Sequence, residues 1–203
     1  MRGVLITFEG VEASGKTTQM LRLARWLRRQ GYRVECTREP DGTSLGLAIR
    51  RLFDRADAPF QPLAETLLFV AARHQHVVER LRPWLRAGRV VLCDRYVDAT
   101  VAYQGHGRGV DPELVRELNL RATGGVLPDL TLLFDLDPRA GFRRMGGRPR
   151  DHFERRALAF HRRVRRGYLE IQRADPKRVR LIDASRPAAA VAAEVRALAE
   201  ERL

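Results

Sequence analysis

Short apolar runs and helical patterns alternate along the chain. Five runs of strand length occur, at 4–8, 32–37, 89–94, 130–136 and 179–183. After the first run, Met20, Leu23, Ala24 and Leu27 recur at helical spacing, and Gly31 is a typical stop signal. The first two predicted elements are therefore a buried strand and an amphipathic helix.

Further helical patterns separate the later strands, near 45–54, 63–86, 112–122, 153–172 and 187–202. Asp111 and Pro112 form a typical helix start, with a capping carboxylate followed by a proline in the first turn. Strands that alternate with helices predict an α/β fold with a five-stranded, mainly parallel sheet flanked by helices. With no internal repeat and no long linker, we expect one domain over residues 1–203.

The composition and hydropathy of the chain indicate where in the cell the protein works. The hydrophobic fraction of 44% is ordinary for a globular domain. No apolar run approaches the roughly 20 residues of a membrane span, and no signal peptide precedes the first strand. Cys36 and Cys93 lie in strand-like runs, which favours buried thiols over a disulfide or a metal site. We therefore expect a cytoplasmic protein without a membrane partner.

The formal charge of +13 favours anionic partners, but almost all basic residues are arginine. Lys16 and Lys177 are the two lysines of the chain. A lysine kept in so arginine-rich a sequence suggests a site that needs a compact ammonium group.

Residues 10–17 match the G-x-x-x-x-G-K-[ST] phosphate-binding loop (P-loop) between a strand and a helix. In such loops the backbone N–H groups surround phosphate oxygens, the lysine reaches the β- and γ-phosphates, and the hydroxyl holds Mg²⁺. A glycine-containing turn without function is the alternative reading. The predicted ATP-binding residues are Gly10, Val11, Glu12, Ala13, Ser14, Gly15, Lys16, Thr17 and Thr18.

Four further segments follow strands or lie on the long helix: TREP at 37–40, LLFVAAR at 67–73, DRY at 94–96 and AYQG at 102–105. Ligands of open parallel sheets bind at the carboxyl ends of the strands. Thr17, Arg38 and Asp94 should therefore converge on one cleft.

These segments resemble those of the bacterial thymidylate kinases, over about residues 4–185: FEGVEASGKTT, TREPDGT, LLFVAARHQHV and DRYVDATVAYQGHGRG, with a basic lid before a helix. The resemblance implies a P-loop NTPase-type three-layer fold and a homodimer. It also implies phosphorylation of dTMP to dTDP, for dTTP synthesis, with ATP and Mg²⁺.

The resemblance assigns the acceptor base to the long helix. Phe69 would stack on thymine, Arg73 would donate to its O4, and Thr100 would contact its N3 edge. Because Phe69 and Arg73 are four residues apart, they share one helix face. A core phenylalanine is the alternative reading of Phe69.

The family pattern also assigns the sugar and the acceptor phosphate. Glu12 would accept a hydrogen bond from the 3′-hydroxyl, Tyr103 would crowd C2′, and Gln104 would make a nearby polar contact. A solvent-facing carboxylate and a packing tyrosine are the alternatives for Glu12 and Tyr103. Two further residues, Arg38 and Arg95, suit the acceptor phosphate, because a guanidinium matches phosphate oxygens bidentately.

Thr17 and Asp94 are the expected metal-site residues, with Asp94 either on Mg²⁺, in its second shell or orienting an arginine. No general base is required, since the acceptor is an ionised phosphate oxygen. We expect Lys16 and Arg95 to contribute to catalysis.

The P-loop of this chain contains no arginine, so the resemblance places the catalytic arginine in a lid near 143–152. Arg148 and Arg150 are the candidates and Arg144 is possible, while a solvated basic loop is the alternative. Asp41 stands where the family usually has glycine, and His152 where it commonly has arginine.

Other functions remain open at this point. Another pyrimidine nucleoside monophosphate kinase would share these motifs, and a deoxynucleoside kinase would add a general base. A pseudokinase would bind nucleotide without turnover. A nucleic-acid-binding module suits the charge, but aromatic residues are 7% of the chain and are not interleaved with the basic ones.

Overall fold

The computed structural model describes residues 3–55, 60–146 and 153–203. Its five strands are β1 (Val4–Glu9), β2 (Val34–Arg38), β3 (Val90–Asp94), β4 (Leu130–Asp135) and β5 (Val179–Asp183). They form one sheet in the order β2-β3-β1-β4-β5, and every pairing is parallel. The predicted five-stranded α/β fold is confirmed.

Nine α-helices lie in the described residues: α1 (Lys16–Arg29), α2 (Ser44–Arg55), α3 (Pro62–His76), α4 (Arg82–Arg86), α5 (Val97–Thr100), α6 (Pro112–Thr123), α7 (Pro138–Met145), α8 (Leu158–Ala174) and α9 (Ala188–Glu200). Two π-helical segments, Val77–Leu81 and Val101–Gly107, continue α3 and α5. The predicted long helix at 63–86 is thus α3, a π-helical segment and α4 in succession.

The sheet is covered on both faces because alternate strand side chains point to opposite sides. Leu5 and Val91 pack in one cluster with Val77 and Leu81 of the long helix. Ile6, Phe8 and Leu92 belong to the larger cluster, together with Leu23 and Leu27 of α1. Parallel strands buried on both faces explain why the sequence shows continuous apolar runs.

Three features differ from the expected elements. The helical segment from α5 to Gly107 was not predicted. Nor was α7, where the Asp137 side chain accepts from the Arg139 backbone N–H at 2.7 Å and so caps the helix. Because α7 extends to Met145, the first part of the expected basic lid is helical. The expected helix at 153–172 instead begins at Leu158, after a turn.

The register places functional residues at one edge. Phe8 of β1 and Arg38 of β2 both lie opposite Asp94 of β3. The carboxyl ends of the three strands therefore meet where the P-loop begins. Within the described residues, no helix is both long and apolar enough to cross a membrane.

Candidate active site

The P-loop connects β1 to α1 by a close backbone turn. Gly10 has a φ of 136°, and a Cβ there would lie 2.4 Å from the carbonyl oxygen of Phe134. Gly15, at the N-cap of α1, has a φ of 90° and offers no side chain to cap the helix. The first-turn N–H groups of α1 are therefore available to an anion.

Lys16 lies across this loop. Its Nζ donates to the carbonyl oxygen of Val11 at 2.8 Å and to Ser14 Oγ at 3.4 Å. Burial and the positive charge of Arg95 lower the pKa of Lys16 to about 8, although Asp94, Glu12 and Glu9 oppose that shift. An anion on the P-loop would supply the counter-charge that this ammonium group lacks.

Thr17 and Asp94 form the oxygen-rich part of the site. The Thr17 hydroxyl donates to Asp94 Oδ2. Magnesium is usually held by one or two protein oxygens together with water and substrate phosphates, so this pair fits such an ion. No cluster of three or more His, Cys, Asp or Glu side chains suited to a metal occurs in the described part of the chain.

One cleft of about 440 Å³ brings together most of the residues singled out in the sequence. Of these, the lining includes Glu12, Ala13, Gly15, Lys16, Thr17, Thr18, Arg38, Phe69, Arg73, Asp94, Arg95, Thr100, Tyr103 and Gln104. Gly10, Val11 and Ser14 belong to the P-loop but do not line the cleft. The cleft thus joins the phosphate-binding loop to the predicted acceptor residues.

Glu12 is held by donors from three other elements. Its Oε1 accepts from Arg95 Nη2 at 3.1 Å and from the Tyr103 hydroxyl, and its Oε2 accepts from His161 Nδ1 at 3.0 Å. Burial alone would raise the pKa of Glu12, but the hydrogen bond from His161 and the charge of Arg95 bring it well below its ordinary value. Glu12 is therefore a fixed carboxylate within the cleft.

Arg95 directly follows β3 in an unusual conformation, with a φ of 69°. Its guanidinium lies 4.7 Å from the centre of the Tyr103 ring, and its Nη1 is buried without a hydrogen-bond partner among the described residues. Arg38 is more open, with 54% of its side chain exposed and Asp41 at 3.8 Å. Both arginines line the cleft and have donors to offer a phosphate.

Arg73 is 2% exposed and fully engaged with protein groups. Its Nε donates to Glu39 at 2.8 Å, its Nη1 to Thr100 at 2.6 Å and to Asn119 at 2.5 Å, and its Nη2 to the Tyr96 carbonyl at 2.9 Å. Arg73 lines the cleft, but donation to a base would require one of these bonds to be exchanged. Its role in base recognition stays a prediction.

Phe69 belongs to an aromatic group at the other end of the cleft. Its ring stacks on Phe53 at 4.9 Å and meets Phe153 at 5.6 Å. Phe69 can therefore be a packing residue and also stack on a base, since it packs on Phe53 and still lines the cleft.

Comparison with known proteins identifies the family. The thymidylate kinase family profile matches residues 8–195. A thymidylate kinase of Synechococcus is 48% identical over 98% of this chain and 96% of its own length. The chain belongs to the thymidylate kinase family. A thymidylate kinase of Deinococcus radiodurans is 47% identical over 99% of this chain and 98% of its own length.

A solved structure of a family member supports the same assignment. The crystal structure of thymidylate kinase from Ehrlichia chaffeensis superposes with a TM-score of 0.81 and 35% identity, over 98% of this chain and 99% of that chain. The resemblance found in the sequence, to a family of nucleoside monophosphate kinases, is therefore confirmed.

Asp41 and His152 are the two positions at which the sequence departs from the family pattern, and the structure describes only the first. Asp41 does not adopt a positive φ; it contacts Arg50 Nε at 3.3 Å and Arg38 Nη1 at 3.8 Å. The turn therefore does not require glycine at this position. His152, like the lid candidates Arg148 and Arg150, lies outside the described residues.

Arg144, the third lid candidate, lies in the last turn of α7, where its Nη2 donates to the Ala184 carbonyl at 3.0 Å. It does not line the cleft.

Sequence reasoning missed several residues of this cleft. Arg50 on α2 and Glu39 of TREP both line the cleft. His161, from the first turn of α8, reaches Glu12 across 149 residues of sequence. For Glu39, the signal was its place beside Arg38; for Arg50 and His161, no local pattern indicated the site.

Proposed function

We propose that this protein transfers the γ-phosphate of ATP to dTMP and releases dTDP. The observation that carries the proposal is one cleft lined by P-loop residues, by two arginines at strand ends and by an aromatic pocket. Such a cleft can hold two phosphorylated ligands with their phosphates facing each other.

At the donor end, the loop amides and Lys16 would hold the triphosphate. Lys16 Nζ would leave the carbonyl of Val11, which it contacts at 2.8 Å, for the β- and γ-phosphate oxygens. The N-terminus of α1 would add its favourable dipole. These groups stabilise the charge that spreads over the transferred phosphoryl group.

At the acceptor end, Arg38 and Arg95 would orient the dTMP phosphate for in-line attack. The buried Arg95 Nη1, which has no partner in the described structure, is the donor best placed to gain one. Phe69 would stack on the base, with Arg73 and Thr100 at its edge. Glu12, Tyr103 and Gln104 would surround the deoxyribose.

Thr17 and Asp94 would hold Mg²⁺ together with the phosphates. An ion held by these two side chains would neutralise negative charge on the phosphates. Positioning supplies much of the remaining rate enhancement, because the acceptor oxygen is already ionised.

We also propose a single kinase domain with a lid near 143–152, in which Arg148 or Arg150 supplies the charge missing from the P-loop. A homodimer and a cytoplasmic location complete the proposal. The dimer is an expectation from the family, and the location is supported by nucleotide substrates and two free cysteines.

A coupled assay with ATP, Mg²⁺ and a panel of acceptors tests this function. The panel is dTMP, dUMP, CMP, AMP and thymidine. We expect dTMP to give a kcat/KM at least about tenfold above those of CMP and AMP, because a pocket built for one base edge leaves donors unpaired with another. Faster transfer to thymidine, or to CMP or AMP, would exclude the proposal.

A further inference from the structure

Three donors converge on the Glu12 carboxylate, and one of them has no contact with the cleft. Arg95 and Tyr103 line the cleft and could touch a ligand themselves. His161 does not line it; its side chain is 1% exposed and lies behind Glu12. The hydrogen bond to Glu12 is therefore the polar contact by which His161 can influence the cleft.

The surroundings of His161 restrict it to that single hydrogen bond. Its ring meets Phe142 at 4.9 Å and Phe160 at 5.2 Å, both edge to face. Its Nε2 is buried and has no hydrogen-bond partner among the described residues. Because a carboxylate only accepts, Nδ1 must carry the proton that is shared with Glu12. The neutral tautomer protonated at Nδ1 leaves no unsatisfied N–H group.

The two oxygens of the Glu12 carboxylate accept different numbers of hydrogen bonds. Oε1 accepts from both Arg95 and Tyr103, whereas Oε2 accepts from His161. A carboxylate oxygen accepts about two hydrogen bonds. One acceptor position therefore remains on Oε2, the oxygen that His161 holds.

We propose that His161 is a positioning residue, which orients Glu12 so that Oε2 accepts a hydrogen bond from the 3′-hydroxyl of the acceptor nucleotide. The inference rests on the proposed function, in which Glu12 contacts the sugar. The side chain of Glu12 is 7% exposed, and its three donors come from the end of β3, the π-helical segment 101–107 and α8. Loss of the α8 donor leaves Oε2 free to rotate away from the sugar.

The test compares two substitutions that differ in the position of one N–H donor. In His161→Asn the amide nitrogen replaces Nδ1, whereas in His161→Gln it lies near the position of Nε2. We measure the affinity of each variant for dTMP and for 3′-deoxy-dTMP by calorimetry, with kcat and KM for both acceptors and for ATP.

We expect His161→Gln to weaken dTMP binding roughly tenfold, the value of a hydrogen bond to a charged group, and to raise the KM for dTMP. Affinity for 3′-deoxy-dTMP and the KM for ATP should change less than about twofold. His161→Asn should remain close to the wild type. A purely structural role of His161 would lower the binding of both acceptors equally.

Three outcomes overturn the inference: equal losses for the two acceptors, identical behaviour of the Asn and Gln variants, or equal wild-type affinity for dTMP and 3′-deoxy-dTMP. Failure of the proposed function is seen separately, as absence of dTMP turnover in the wild type. In that case the calorimetric comparison still decides the role of His161.

Discussion

The two ends of the cleft are constructed differently. At the donor end, eight consecutive residues form the phosphate-binding loop, and backbone N–H groups provide much of the binding surface. At the acceptor end, side chains from β2, α3, β3, the π-helical segment 101–107 and α8 meet across long sequence separations. The donor end depends on local conformation, and the acceptor end depends on correct packing of the whole domain.

This difference predicts different consequences of mutation. At the donor end, the Lys16 side chain can be removed with little effect on folding, because the loop backbone remains. In the acceptor end, several residues belong to buried polar networks, so a substitution affects stability and binding together. The following experiments are ordered by the size of the expected effect.

Arg73→Met should give the largest loss of stability. Burial alone would raise the pKa of Glu39, but the charge of Arg73 and the hydrogen bond from His76 hold that pKa below its ordinary value. Removal of Arg73 leaves a buried carboxylate without its main counter-charge, which typically costs about 3–5 kcal/mol. Urea denaturation measures this loss as a decrease in the free energy of unfolding.

Arg121→Met is the matched control for Arg73→Met. Arg121 is an exposed residue of α6 that pairs with Glu117 at 2.6 Å. Its replacement should change the free energy of unfolding by less than about 1 kcal/mol. If the two variants were equally stable, the network around Glu39 would not support the acceptor end.

Lys16→Met should affect activity rather than stability. Methionine keeps much of the side-chain volume but removes the charge that faces the phosphates. We expect kcat to fall by about 10²–10³-fold, as for the loss of one donor that stabilises transition-state charge. The dissociation constant of dTMP, measured by calorimetry, should stay within about threefold, because the acceptor end is intact.

The chain provides its own control, since Lys177 is its second lysine and lies exposed between α8 and β5. Lys177→Met should leave kcat unchanged. For Lys16→Met itself, a loss of dTMP affinity as large as the loss of kcat would show that the two ends of the cleft do not act independently.

Much of the fold was predictable, because its strands are continuous apolar runs and its P-loop is a local motif. The helical segment at 97–107 was not, since a π-helical segment breaks the 3.6-residue periodicity from Val101 onwards. For the site, motif residues such as Arg38 and Phe69 were found from local signals. His161 was not, because its contact with Glu12 exists only after α8 packs against the π-helical segment 101–107 and the sheet.

Phe69→Leu should have a smaller effect, confined to the acceptor. Leucine preserves apolar packing on Phe53 but removes the flat ring surface that would stack on a base. Stacking of a base on an aromatic side chain is worth about 1–3 kcal/mol, so we expect the KM for dTMP to rise roughly tenfold. The KM for ATP should not change.

Phe60→Leu is the control for Phe69→Leu. Phe60 also contacts Phe53, at 5.3 Å, but it does not line the cleft. Both variants lose an aromatic contact with Phe53, and only Phe69→Leu loses the proposed stacking surface. An equal rise in the KM for dTMP in both would assign the effect to packing instead of stacking.

The smallest expected effect is a pH dependence specific to the donor end. Burial and the charge of Arg95 lower the pKa of Lys16 to about 8 in the free protein. A bound triphosphate favours the ammonium form, so the pKa should rise on binding. ATP affinity should therefore be greatest below about pH 8 and fall as the pH rises through that value.

The same linkage predicts proton uptake when ATP binds. At about pH 9 most Lys16 side chains are neutral before binding and become charged afterwards, so a proton enters the complex. Calorimetric titrations of ATP in two buffers with different ionisation enthalpies measure this uptake directly. Lys16→Met should abolish it, and dTMP binding, whose phosphate would lie at Arg38 and Arg95 instead of the P-loop, should show less uptake in the wild type. Equal uptake on dTMP binding would mean that Lys16 responds to both phosphates, and that the donor and acceptor ends share one electrostatic site.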